Sequence, residues 1–181
     1  MRVKVFLAQG FEEIEVVTPV DIWRRAGFEV TLVSVTGENI VKGANGISLV
    51  ADVLFENESF DDDFLLFLPG GLPGANNLEA HQGLQALIAK QAESKSEIAA
   101  ICAAPYILGK QGILKGKQAI CYPGFEGELE GATLATGKVA VDGNVVTGKA
   151  PGAAIPFALA IVEKLKNKET ADALVAGMFL A

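Results

Sequence analysis

Short, almost wholly apolar runs alternate along this chain with longer stretches of helical period. VKVFLA at 3–8 leads into a helical pattern over 12–26, and FEVTLVSV follows at 28–35. Further on, FLLFLPGG at 64–71 precedes a second helical pattern over 75–94, which stops before IAAIC at 98–102. A strand that faced water on one side would alternate apolar and polar residues; these runs do not, so both of their faces must be covered. Crossover helices between parallel strands supply that cover. The rhythm predicts an α/β fold, a doubly wound three-layer sandwich around a mostly parallel sheet.

Three places modify the rhythm. Pro19 falls inside the first helical pattern and predicts a kink or a fresh start there. In VAVDGNVVTG at 139–148, valines flank Asp142-Gly143, a dipeptide suited to a two-residue turn, so a small antiparallel hairpin should join the sheet. Two helical patterns close the chain, Ile155–Leu165 and Lys168–Ala176, with Asn167 between them as the expected stop of the first. No repeat, linker or low-complexity segment interrupts the sequence, and a single domain over 1–181 is expected.

Charge and cysteine usage exclude several classes. Acidic residues number 22 against 15 Lys and Arg, a formal net charge of −7, so nucleic acid is not an expected partner. The longest apolar stretch, Ile98–Leu108, falls well short of the ~18 residues a membrane span requires, which excludes a membrane partner of that kind. MRVKVFLAQG has too short an apolar run for a secretory leader and meets acids at once, so a cytoplasmic location is expected. The two cysteines, Cys102 and Cys121, form no CxxC motif and are too few for a zinc cage. Neither a metal nor a cofactor nor a structural disulfide is expected.

In open α/β sheets ligands bind beyond the carboxyl ends of the strands, so the residues following each strand are the candidates. The apolar run Ile98–Ile101 ends at Cys102 with small residues on both sides and a helix start directly after, the outline of a nucleophile elbow. A helix end facing the sulfur predicts a lowered thiol pKa and a reactive thiolate, where an ordinary free cysteine would be a small buried apolar residue. The turn Pro69-Gly70-Gly71 should end the neighbouring strand. Together with the amide of Ala103, the N–H of Gly70 or Gly71 could hold an oxyanion formed at Cys102. After the first strand come Glu12, Glu13 and Glu15, acids that suit a helix start; Glu15, set between Ile14 and Val16, could be buried and protonated. His81, the one histidine, lies in a polar stretch and reads as a cap or surface residue rather than as a base for the thiol.

FEEIEVVTPVDIWRRAGFEVTLVSV, FLPGGLPGANNL, IAAICAAP, VDGNVVTG and APGAAIPFALAIVEKL, in that order, resemble the ThiJ/PfpI superfamily over nearly the whole chain. Within it they resemble the branch that contains the parkinsonism-associated protein deglycase, whose members carry an extra C-terminal helix like Glu169–Ala176. The resemblance implies a flavodoxin-like sandwich and a homodimer, with a reactive cysteine at Cys102 contacted by a protonated Glu15. It also implies a pocket made by the amides of Gly71 and Ala103 and bordered by Pro151. Two positions depart from the family pattern. Tyr122 stands where many relatives place a histidine near the cysteine, and Asn45 where the branch has an arginine facing the partner's site.

Three activities follow from that resemblance. One is glyoxalase- or deglycase-like handling of α-oxoaldehydes and glycated groups, with Cys102 as nucleophile. Another is a redox sensor or chaperone acting through oxidation of Cys102. A peptidase or amidotransferase ranks last, because no imidazole is expected beside the thiol.

Overall fold

The computed structural model describes residues 1–180. Strand β1 (Arg2–Leu7) leads into α1 (Glu13–Arg25), and β2 (Glu29–Ser34) returns beside β1. Three short strands follow, β3 (Ile40–Lys42), β4 (Ser48–Val50) and β5 (Val53–Leu54). Next come β6 (Leu65–Leu68), α2 (Gly74–Ala80), α3 (Gln82–Glu93), β7 (Ile98–Ile101) and α4 (Pro105–Lys110). The chain then runs through β8 (Gln118–Ala119), β9 (Thr133–Leu134), β10 (Val139–Asp142), β11 (Val145–Gly148), α5 (Ala154–Leu165) and α6 (Lys168–Gly177).

Among the described residues, seven strands form one sheet in the order β10-β11-β7-β6-β1-β2-β5. All its pairings are parallel except the β10–β11 hairpin, which turns at Asp142-Gly143 as expected. Each central strand feeds two cores by simple alternation. Val3, Val5 and Leu7, with Leu65 and Phe67, face α1 and α5. Phe6, Leu66, Leu68, Ile98 and Ala100 face α2, α3 and α4. On the first face Trp23 meets Phe67 edge to face at 5.1 Å, and its indole N–H donates to the carbonyl of Ala158, which ties α1 to α5. The continuous apolarity of the strands thus follows from burial on both sides. This is the flavodoxin-like α/β sandwich with a small antiparallel hairpin.

The local expectations hold less evenly. Pro19 sits inside one uninterrupted helix, α1, because packing against the sheet compensates for the hydrogen bond its missing N–H cannot make to the Glu15 carbonyl. The pattern over 75–94 is two helices, broken at His81, whose Nδ1 accepts from the Leu84 N–H and starts α3. Asn167 does not stop α5; its side chain accepts from Thr170 N–H at 2.8 Å and caps the start of α6. The small β3–β4 hairpin was not anticipated, since three-residue strands with exposed faces carry no periodicity to read. No helix among the described residues is long and apolar enough to cross a membrane.

Strand order decides where a ligand can bind. From β1 the chain builds outward on one side to β2 and β5, then crosses back to β6 and continues on the other side through β7 and β11. The helices that follow β1 and β6 therefore run to opposite faces of the sheet, and a crevice forms at the carboxyl ends of these strands. The loop after β7 stands next to it.

Candidate active site

Cys102 follows β7 directly and takes φ +65°, the left-handed region that a residue with a Cβ rarely enters. The surroundings hold it there: its N–H donates to Gly148 O at 2.9 Å, and its carbonyl accepts from Tyr122 N–H at 2.7 Å. Such strain persists only when neighbouring structure over-determines it. The turn aims the side chain into the crevice, where it keeps 8% of its exposure. Gly70, at the end of β6, packs so closely that a Cβ there would lie 2.6 Å from the Cys102 Cβ. Glycine is what lets the two loops meet.

Glu15 reaches the same place from the first turn of α1 and is fully buried. One carboxyl oxygen, Oε2, accepts from Gly70 N–H at 2.9 Å; the other, Oε1, is buried with no nitrogen or oxygen partner. Burial pushes the Glu15 pKa up to about 7, against smaller lowering contributions from the Cys102 thiol and the Gly70 amide. The Cys102 thiol is likewise pushed up to about 12, first by burial and then by the Glu15 carboxylate beside it. The amides of Gly71 and Ala103 near the sulfur pull the other way. The lowered thiol pKa expected from a helix end is thus reversed: α4 begins only at Pro105, and burial with a neighbouring negative charge outweighs it. Proton transfer from sulfur to Glu15 removes that charge and turns the carboxyl into a donor, so the pair can reach S⁻···HO₂C without changing its net charge.

Around this pair lies a cavity of about 300 Å³ lined by Glu12, Gly71, Leu72, Cys102, Ala103, Tyr122, Phe125 and Pro151. Of the residues singled out in the sequence, Cys102, Glu15, Gly70, Gly71, Ala103, Tyr122 and Pro151 converge here. Gly70 differs from its expected role in that its N–H is taken by Glu15, which leaves the Gly71 amide for the sulfur. Asn45 is not part of the lining. Its backbone and side-chain amides donate to Glu13 at 2.8 and 2.9 Å, and the side chain also approaches Glu12. Glu13, 5% exposed, thus ties the β3–β4 turn to α1 rather than serving as solvated charge.

Cys121 turns away from Tyr122, into a separate small cavity with Glu126 and Lys149. His81 packs against Phe55 with ring centroids 4.7 Å apart and is absent from the cleft lining. Glu12, Leu72 and Phe125 line the cleft without having been singled out for it. Glu12 at least was visible as a helix-start acid, whereas nothing in the sequence marks Leu72 or Phe125. Among the described residues no three His, Cys, Asp or Glu side chains cluster as metal ligands would.

Comparison with known proteins bears on the same geometry. The model of the DJ-1/PfpI family matches residues 1–164. Protein DJ-1 homolog B of Arabidopsis thaliana is 38% identical over 172 residues, covering 94% of this chain but only 39% of the plant protein. The chain thus spans about two fifths of that relative's length. The glutathione-independent glyoxalase DJR-1.2 of Caenorhabditis elegans is 34% identical over 174 residues, 94% of this chain and 91% of that protein. Oxidised DJ-1 of Toxoplasma gondii superposes with a TM-score of 0.91 at 37% identity, covering 98% of this chain and 97% of the other. The chain belongs to the DJ-1/PfpI family.

Proposed function

We propose that this protein converts α-oxoaldehydes to 2-hydroxy acids, without glutathione, through Cys102. The observation that carries the reading is the coupling of a buried, partly unpartnered Glu15 carboxyl group with a thiol that two main-chain amides also approach. The name of the nematode relative supports the same chemistry.

The thiol proton passes to Glu15, and the sulfur adds to the aldehyde carbon. The carbonyl π pair moves to oxygen, which the Gly71 and Ala103 amides hold until Glu15 returns the proton. From this hemithioacetal the Glu15 carboxylate takes the hydrogen on the former aldehyde carbon as a proton, leaving an enediolate, and reprotonation at the adjacent carbon yields a thioester. Water then cleaves the thioester and restores the thiol. One carbon is oxidised and its neighbour reduced, so no external oxidant or reductant enters. Iodoacetamide should abolish lactate formation from methylglyoxal in step with alkylation of Cys102, as located by peptide mass. Full turnover by protein alkylated at Cys102 would refute the assignment.

A second reading has its own observation. The Gly71 and Ala103 amides lie near the sulfur, where they would suit oxygen atoms added there, and the Toxoplasma relative was solved in an oxidised form. On this reading hydrogen peroxide oxidises Cys102 to the sulfinate and is itself reduced to water. Mild peroxide should add two oxygens at Cys102 before any at Cys121. Oxidation of Cys121 first would remove this alternative.

A further inference from the structure

The cleft is larger and more aromatic than the reacting atoms require. Allowing each non-hydrogen atom roughly the 30 Å³ that a water takes in the liquid, the five of a three-carbon oxoaldehyde fill about half of it. The remaining walls are Leu72, Tyr122, Phe125 and Pro151, with one carboxylate, Glu12, among them.

Both aromatic residues stand on the backbone that holds the nucleophile, and the Phe125 ring is further fixed by stacking. Tyr122 N–H donates to the Cys102 carbonyl, and Phe125 N–H donates to the Tyr122 carbonyl at 3.1 Å, so a four-residue turn hangs from the strained cysteine itself. Inside that turn the Gly124 N–H donates to the Glu126 carboxylate at 2.7 Å. The Phe125 ring stacks on Tyr106 with centroids 5.9 Å apart and planes inclined by 29°. Tyr106 is 4% exposed and its hydroxyl donates to Glu79 at 2.9 Å, which fixes the ring beneath Phe125. An aromatic face pre-set in this way gains affinity for a flat apolar group because little ordering is left to do on binding.

We propose that the 122–125 turn is a specificity element: the cleft favours α-oxoaldehydes whose second substituent is an aromatic or similarly sized apolar group, lodged beside Tyr122 and Phe125, while Glu12 disfavours α-oxoaldehydes that carry a carboxylate. This rests on the reading of Cys102 as the nucleophile toward α-oxoaldehydes. With about ten non-hydrogen atoms, an aryl oxoaldehyde matches the cavity volume by the same measure.

The test compares kcat/KM for phenylglyoxal, methylglyoxal and the anionic 4-carboxyphenylglyoxal in wild type, Tyr122→Ala, Phe125→Ala, Glu12→Gln and Cys102→Ala. Wild type should prefer phenylglyoxal to methylglyoxal by about tenfold or more, and that ratio should fall about tenfold in each aromatic variant. Tyr122 is 45% exposed, so its variant folds even if loss of Phe125 disturbs the turn. A wild-type ratio near one, or a ratio unchanged in Tyr122→Ala, overturns the specificity proposal while leaving the chemistry intact. 4-Carboxyphenylglyoxal consumed by wild type as readily as phenylglyoxal, or no better by Glu12→Gln than by wild type, overturns the role given to Glu12. Turnover undiminished in Cys102→Ala overturns the underlying activity instead.

Discussion

Replacing Glu15 with Gln is expected to stabilise the folded protein above pH 7 while lowering turnover by about 10²- to 10⁴-fold, the usual range for loss of a positioned acid–base group. The two effects have one cause. The carboxyl group is fully buried and its pKa stands at about 7 instead of 4.5. Between those values the folded chain holds a proton that the unfolded chain has released, so stability falls as pH rises through that window and levels off above it. At one pKa unit per ~1.4 kcal/mol, the loss amounts to about 3 kcal/mol. Gln stays neutral at every pH and still accepts from the Gly70 N–H, so the variant should escape that loss. Urea unfolding at pH 4.5 and pH 8 measures it: the variant should match wild type at the lower pH and exceed it by about 2–3 kcal/mol at the higher. Equal midpoints at pH 8 would mean that burial does not raise the carboxyl pKa.

Gly71→Ala should cost about 3 kcal/mol or more and remove Cys102 reactivity together with stability. Gly71 has φ +88°, where a Cβ alone costs roughly 1–2 kcal/mol. That Cβ would also lie 2.3 Å from the Glu12 amide nitrogen and 2.7 Å from the Gly10 carbonyl oxygen. These contacts are main chain, so no side chain can rotate away. Relief requires the loops after β1 and β6 to separate, and the Gly71 amide then leaves the sulfur. Denaturation midpoints together with the rate of Cys102 alkylation test this. A variant with wild-type stability and thiol reactivity would show that the two loops do not pack as described.

The layers of the fold were legible because the code for them is local. VKVFLA, FLLFLP and IAAIC carry their double-sided burial in their own composition, and Asp142-Gly143 carries its turn. The candidate site was legible only in its strand-end members. Cys102, Gly70 and Gly71 stand where any open parallel sheet exposes its loops, and Pro151 and Tyr122 entered through family resemblance. Phe125 escaped notice because its place in the cleft depends on a chain of hydrogen bonds running from Cys102 through Tyr122. Asn45 stands outside this chain's own cleft because the two buried oxygens of Glu13 claim it.

Hydrophobic periodicity and turn chemistry therefore specified, from the sequence alone, the central strands and the 139–148 hairpin, how they are covered and at which edge the reactive thiol emerges. The proton balance of the site needed tertiary structure. Whether a thiol beside a helix start has a low or a high pKa depends on competing desolvation, main-chain donors and a charge contributed by Glu15, 87 positions away in the chain. Those contributions are set by distances in space, which no local pattern encodes.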